Sequence, residues 1–234
     1  METLALRDAF ISRDNRFELL DGGIQRAEWH GRRLKLLEIG CADGAAAAHL
    51  KETEDFVLYA VDIDASAVLA ADAEHPDCRF LCADACALPF PDGSFDGLFS
   101  EAAFAVIQDK DKAALEYARV LRPGGRFLMN DFFLRANVTT TARSQSGVPL
   151  FDGVRSLDDY RNILGQAGMR CVYCSEEYLA FLQIGNSLSR SYGIAKNQVG
   201  SFIRETFGSD PFVGDFFLQK RLSYAQIIFE KETE

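Results

Sequence analysis

Residues 36–44 read Leu-Leu-Glu-Ile-Gly-Cys-Ala-Asp-Gly, and this stretch decides the fold. An apolar run carries a carboxylate near its end, turns at glycine, and passes into the helix-prone Ala45–Ala48. That is a strand, a tight turn and a helix. Gly40 permits the turn and a close backbone approach to a ligand, and Gly44 lets the helix begin against the strand. The dinucleotide fingerprint G-x-G-x-x-G fails here, because Ala42 and Ala45 stand at its second and third glycines.

The same rhythm continues on both sides. Short apolar runs occur at Leu34–Ile39, Phe56–Val61, Cys78–Cys82, Phe95–Phe99 and Arg126–Met129. Segments with helical spacing lie between several of them, at Ala45–Leu50, Ser66–Ala73 and Asp111–Leu121. Strands that are apolar almost throughout and alternate with helices predict an α/β fold, a parallel sheet covered on both faces. Asp109 or Asp111 can cap the third helix, and Pro123-Gly124-Gly125 bars its continuation. Further on, Ser156–Ala167 reads as an amphipathic helix, and Met169–Cys174 and Tyr224–Phe229 read as strands. The aromatic-rich stretch 176–221 has the spacing of two or more helices. The N-terminal stretch has helical spacing too, at Leu4, Phe10, Ile11 and Phe17. The organisation expected is one domain: a helical cap (1–31), a core (32–175 and 222–234) and a helical insertion or lid (176–221).

Composition bounds the function. The 234 residues are 48% hydrophobic and 26% charged, too apolar for disorder as the main state. No apolar run approaches the length of a membrane span, and the first residues hold early charges in place of a signal core. A cytoplasmic protein with no membrane partner is expected. The net charge of −10 argues against nucleic acid as a partner, since such binding needs basic surface. Six cysteines without a signal segment suggest reduced thiols.

Three acids mark a site. Glu38 lies near the end of the first strand, Asp62 ends the second, 22 residues after Gly40, and Asp84 follows the third. An acid at the position of Asp62 can accept both hydroxyls of a ribose, and Asp84 can accept from an adenine amino group. Singly, each reads equally as a solvated loop carboxylate or a helix cap. Together they face one cleft at the open end of the sheet. Asp96 sits at the start of the fourth strand, at the other end, and is expected to be structural.

The stretches LLEIGCADG (36–44), YAVDIDASAV (59–68), FLCADACALPFPDGSFDGLFS (80–100) and LEYARVLRPGGRFLMNDFF (115–133) resemble the class I S-adenosylmethionine-dependent methyltransferases. The resemblance covers about residues 34–133. ALPFPDGSFD and the helix ending in LRPGG look like the broad small-molecule group that includes the quinone and arsenite methyltransferases. It implies a Rossmann-like, seven-stranded, mostly parallel sheet whose antiparallel last strand inserts between its neighbours, with helices on both faces and a helical cap. Ala42 departs from the glycine the family often has there. S-adenosyl-L-methionine is the implied cofactor. Glu38 and Gly40, with Cys41 and Gly44 in the same loop, would lie by its methionine part. Asp62 would hold the ribose, Ile63 would pack on adenine, and Asp84 and Ala85 would read the adenine edge. Ser100 or Glu101 would line the path to a small-molecule acceptor. Asp21-Gly22-Gly23 matches a glycine pair of related enzymes and reads otherwise as a loop after an N-terminal helix.

Methyl transfer from a sulfonium is an in-line displacement that mainly needs alignment and exclusion of water, worth roughly 7–11 kcal/mol. Glu101 is the candidate base and Asp131 the second; the alternative for each is a capping or salt-bridged carboxylate. His30, His49 and His75 do not cluster, and no metal site is expected. Cys82 and Cys86, with Cys78 upstream, leave open a site for a soft acceptor such as arsenic(III). Cys171 and Cys174, three apart on a strand, are expected to point to opposite faces. Tyr178, Phe181, Leu182, Ile184, Leu188, Tyr192, Phe202, Ile203 and Phe207 read as helix contacts or as a wall for an apolar acceptor, joined by Phe132, Phe133, Phe212, Phe216 and Phe217. Two other readings stand beside methyl transfer: a nicotinamide-dependent oxidoreductase, and a non-catalytic protein that binds S-adenosylmethionine or S-adenosylhomocysteine. The acceptor and the oligomeric state are not written in the sequence.

Overall fold

The protein is seen in a computed structural model, which describes residues 13–135, 153–193, 195 and 222–233. Chain order gives α1 (Glu18–Arg26), β1 (Lys35–Ile39), α2 (Ala45–Thr53), β2 (Val57–Asp62), α3 (Ala65–Glu74), β3 (Arg79–Cys82) and β4 (Phe95–Glu101). A 3-10 turn (Phe104–Val106) follows, then α4 (Lys110–Val120), β5 (Leu121–Leu134), α5 (Leu157–Gln166), β6 (Met169–Glu176), α6 (Tyr178–Tyr192) and β7 (Leu222–Lys231). The helix starts are set locally. The Asp64 side chain accepts from the amides of Ser66 and Ala67, Asp109 accepts from Lys112, and Ser156 forms a reciprocal box with Asp159.

The seven strands form one sheet in the order β3-β2-β1-β4-β5-β7-β6. Strands β1 to β5 pair in parallel, and β7 runs antiparallel to both its neighbours, as the resemblance implies. The longest ladder is β5 with β7, in register from Arg126↔Glu230 to Leu134↔Leu222.

Alternation along the strands gives each face its own core. Leu37, Ile39, Leu98, Phe127, Met129, Ile227 and Phe229 face Tyr117 of α4 and Tyr160 of α5. Leu36, Phe99, Leu128 and Ile228 face Leu20 and Ile24 of α1 and Leu50 of α2.

Two sequence expectations are overturned. Asp21-Gly22-Gly23 is no loop but lies inside α1. Glycine is a poor helix residue, and tertiary contact outweighs that here. A Cβ on Gly23 would come 2.7 Å from both Leu128 Cδ2 and Gln226 Nε2, so only glycine lets the helix lie this close to β5 and β7. Cys171 and Cys174 do not point to opposite faces either. The register shifts between Cys171 and Tyr173, so that Cys171 pairs with Phe229 and Cys174 with Ile227. The extra residue of this bulge restores parity and puts both thiols on the α5 face.

Helix α6 occupies the first part of the predicted insertion. The expectations at Leu4, Phe10, Ile11, Phe202, Ile203, Phe207, Phe212, Phe216 and Phe217, and for the side chains of Leu188 and Tyr192, lie outside the described residues.

Gly23→Ala will lower the unfolding free energy by about 1–3 kcal/mol, the usual cost of overpacking, despite its better helix propensity. Urea unfolding measures it; an unchanged or raised midpoint would show that α1 does not need this approach.

Candidate active site

The carboxyl ends of the parallel strands gather the polar residues. The α1 face carries Glu38, the last residue but one of β1, with Glu101 at the end of β4, Asn130 of β5 and Gln226 of β7. Glu101 is directly opposite Asn130, and Asn130 is opposite Gln226. The turn after β1 is held in place by the amides of Gly40 and Cys41, which both donate to the Val61 carbonyl. Gly40 sits at φ +76°, and a Cβ there would come 2.5 Å from the Cβ of Ala103. Ala42 adopts φ +50°, and Ala102, just after Glu101, adopts φ +55°. Left-handed backbone at a residue with a Cβ costs about 1–2 kcal/mol, and strain of this kind gathers at functional sites. Ala42, which stands where the resembling family often has glycine, adopts this left-handed geometry.

Asp62 ties the turn to β2. Its Oδ2 accepts from the Ala42 amide at 2.9 Å and its Oδ1 from the Asp64 amide at 3.0 Å. Each oxygen keeps a lone pair for a second donor. Beside it, Ile63 is 74% exposed, a large apolar side chain at the rim of the polar cleft. Asp84 is exposed after β3, with Oδ1 accepting from the Cys86 amide, and Ala85 is half-buried next to it. Gly44 starts α2 from a left-handed conformation.

The charges at the centre are buried. Glu38 is 2% exposed, and its Oε2 has no partner among the described residues. Burial, reinforced by the Glu101 charge and opposed by Arg16, holds its carboxyl well above the usual carboxylate range. Glu101 Oε1 accepts from Arg13 Nη2 and from Asn130 Nδ2, each at 3.3 Å, while its Oε2 is buried without a partner among the described residues. Arg16 grips Asp43 with both terminal nitrogens, at 2.7 and 2.8 Å. Burial alone would raise the Asp43 carboxyl, but this fork holds it below its ordinary range.

Other expected residues take different roles. The Cys41 thiol packs among Ala47, Ala60 and Cys78, and burial together with the charges of Glu38 and Asp62 pushes its pKa up. Ser100 follows Phe99 on β4 and so faces the α5 side, away from Glu101, with its Oγ buried and unpartnered among the described residues. Asp131 faces that side too and accepts from the amides of Ala105 and Phe132, at 2.9 and 2.7 Å, fixing the 3-10 turn. Burial pushes it up to about 7 against those bonds. Next to it, Lys110 donates to the carbonyls of Ala105 and Ile107, and burial brings its pKa down to about 7. Asp131 therefore braces this turn through both of its oxygens. Asp96 binds the Lys35 amide and Arg122 at the opposite end of the sheet and is structural, as expected.

The thiol site finds no support. Cys82 donates to the Ile63 carbonyl and Cys86 to that of Asp109, and Cys78 is in the core. Among the described residues no three His, Cys, Asp or Glu side chains form a metal-binding group. His30 pairs with Glu54, and His49 pairs with Asp21 while stacking on Phe17.

Sequence reasoning passed over Arg13, Arg16, Asn130 and Gln226. For the last two a signal existed: each is an uncharged polar residue in a mainly apolar strand, in RFLMNDFF and YAQIIFE. The arginines carried none.

The methyltransferase domain family matches residues 37–129. The O-methyltransferase rstn1 of Aspergillus nomiae is 28% identical over 149 residues, covering 60% of this chain and 66% of that protein. The 27-O-demethylrifamycin SV methyltransferase of Amycolatopsis mediterranei is 32% identical over 148 residues, 58% of this chain and 53% of that protein. The chain thus spans between about half and two thirds of the length of these curated relatives. Phosphoethanolamine N-methyltransferase 2 of Haemonchus contortus, solved with S-adenosyl-L-methionine, shares the fold with a TM-score of 0.76 at 17% identity, over 99% of this chain and 57% of that one. The domain match over residues 37–129, the curated relatives and the shared fold together support a class I S-adenosylmethionine-dependent methyltransferase. Among the described residues no helix is long and apolar enough to cross a membrane.

The bracing role of Asp131 has a pH signature. The fold keeps its proton up to about pH 7, whereas an unfolded chain releases it near 4. The folded state binds more protons within that window, so this group's contribution to stability falls as pH rises through it. Asp131→Asn removes the slope, and Tm of the variant relative to the native protein will rise from about pH 4.5 to 7. A difference constant with pH would refute the buried, protonated brace.

Proposed function

We propose that this protein transfers the methyl group of S-adenosyl-L-methionine to a small molecule through a hydroxyl oxygen, with Glu101 as the base. The observation that carries this reading is the Glu101 carboxylate. One oxygen is held by Arg13 and Asn130, and the other is buried without a partner among the described residues. A carboxylate fixed at one oxygen and free at the other can take a proton from an acceptor brought against it. The names of the two curated relatives, both of which transfer to oxygen, support an oxygen acceptor.

The residues fit the cofactor. Glu38 offers an unpartnered buried oxygen to the ammonium of the methionine part, beside the turn of Gly40, Cys41 and Gly44. In that turn Cys41 contributes backbone, since its thiol is in the core. Asp62 has lone pairs for the ribose hydroxyls, Ile63 an apolar surface for the adenine face, and Asp84 and Ala85 lie at its edge. Ser100 lies beneath the path to the acceptor. Bound there, the sulfonium supplies an activated methyl group and a neutral leaving group. What the chain adds is alignment, removal of water and a proton acceptor.

The N-terminal segment is read as a cap, since Arg13 and Arg16 reach from it to Glu101 and Asp43. Residues 176–221 are read as a lid that selects the acceptor. The acidic net charge favours a small acceptor in the cytoplasm over nucleic acid. A nicotinamide cofactor is disfavoured by the broken glycine fingerprint and by the methyltransferase relatives.

The test is transfer of a labelled methyl group from S-adenosylmethionine into a cell extract, then separated into small-molecule and macromolecular fractions. Label will enter the small-molecule fraction and vanish with Asp62→Ala. Glu101→Gln will lower turnover about 10²–10⁴-fold, the usual worth of a general base, and leave binding of S-adenosylhomocysteine intact. Label in protein or nucleic acid would overturn the acceptor class, and full turnover in Glu101→Gln would overturn the base. Binding of S-adenosylhomocysteine without any transfer would favour a sensor.

A further inference from the structure

We infer that the buried amides of Asn130 and Gln226 form a relay that fixes which way Glu101 is hydrogen-bonded, holding it as an acceptor at Oε1 and leaving Oε2 to the substrate proton. This rests on the proposed role of Glu101 and assigns positioning residues to it.

The relay starts at groups whose polarity cannot change. A guanidinium only donates, and a backbone carbonyl only accepts. Gln226 lies between one of each. Its Oε1 accepts from Arg26 Nη1 at 2.6 Å, and its Nε2 donates to the Leu19 carbonyl at 2.8 Å. The orientation of the Gln226 amide is therefore set from α1. Its second N–H meets Asn130 Oδ1 at 2.9 Å, so Asn130 must turn its own amino group the other way, to Glu101 Oε1 at 3.3 Å. Arg13 donates to the same oxygen.

Every donor thus converges on Oε1, and none among the described residues reaches Oε2. A proton on Oε1 would face two donors, so a proton that Glu101 takes up is directed to Oε2. Turning Asn130 around would oppose its oxygen to Glu101 and its amino group to that of Gln226, and both bonds would be lost.

The backbone around the relay is pinned as well. The Asn130 carbonyl accepts from Tyr224 Oη at 2.9 Å and from the Ala102 amide at 2.8 Å. Asn130 and Gln226 are both fully buried, so water cannot substitute for a missing partner. The close approach of α1 at Gly23 brings the Leu19 carbonyl within reach of Gln226. The relay therefore runs from the exposed Arg26, across α1 and two strands, to the proposed base.

Gln226→Glu keeps the shape and removes the donors. The substituted carboxylate would still accept from Arg26, but Asn130 would have to turn its amino group towards it and present Oδ1 to Glu101. Turnover in the extract assay is expected to fall at least tenfold, with S-adenosylhomocysteine affinity, measured by calorimetry, unchanged within twofold. Arg26→Met, at the exposed end, will give a smaller fall in turnover with the same unchanged affinity.

A spectroscopic arm is independent of activity. In ¹⁵N spectra of side-chain amides, Glu101→Gln will displace the signals of Gln226 as well as Asn130, although Gln226 does not touch Glu101. Arg26→Met will displace those of Asn130. Gln226 signals unmoved in Glu101→Gln, or Asn130 signals unmoved in Arg26→Met, would overturn the relay. Signals that move while Glu101→Gln keeps full turnover would uphold the relay and overturn only the base.

Discussion

The sheet has to bury two side-chain amides, and much of the molecule is arranged around that requirement. Asn130 and Gln226 lie side by side on β5 and β7, fully buried. A buried amide without partners costs more than any single packing contact returns. Its partners must come from elsewhere in the chain, and they do: a carbonyl and a guanidinium from α1, and a carboxylate from β4. The position of α1, the glycine in its middle and the direction in which Glu101 is held all follow from meeting this demand. An apolar pair at these two places would pack at least as well and would say nothing about where α1 should lie.

A second constraint is backbone geometry on the cleft side. The turn after β1 and the turn after β4 touch at Gly40 and Ala103, and each contains an alanine in the left-handed region. These turns follow the strands that carry Glu38 and Glu101, and the Glu101 charge adds to burial in opposing ionisation of Glu38. Arg13 and Arg16 bring positive charge to this acidic pair, and both come from the segment before α1. The cleft is thus electrically incomplete without its N-terminal flank.

How much of this could be read from the sequence depended on how local each cause was. Strands and helices followed from apolar runs and from caps such as Asp64, Asp109 and Ser156, all of which act within a few residues. The spacing from Gly40 to Asp62 located the acid that ends β2 because a strand-helix-strand unit fixes that distance. Asp21-Gly22-Gly23 misled because two glycines signal a turn, and only the approach of Leu128, more than a hundred residues away, makes them helical. The bulge at Cys171–Tyr173 left no mark, since an extra residue in a strand looks like any other. Ser100 and Asp131 lie on the sheet face opposite Glu101, a matter of odd and even positions. Arg13 was invisible because its partner lies 88 residues further on.

The antiparallel strand β7 has a consequence for how the molecule is made. It fills the gap between β5 and β6, and it supplies Gln226 to a helix that begins at residue 18. Until residue 226 has left the ribosome, β5 presents an open edge and α1 lacks half of its footing. Chains interrupted before that point expose a long, apolar, unpaired strand, the kind of surface that seeds association between copies. Closure of the sheet is a late, long-range event, and such events fold slowly. The polar centre is thus completed only after β7 has been made, so a chain that has acquired a finished site has also passed the stage at which β5 lies open.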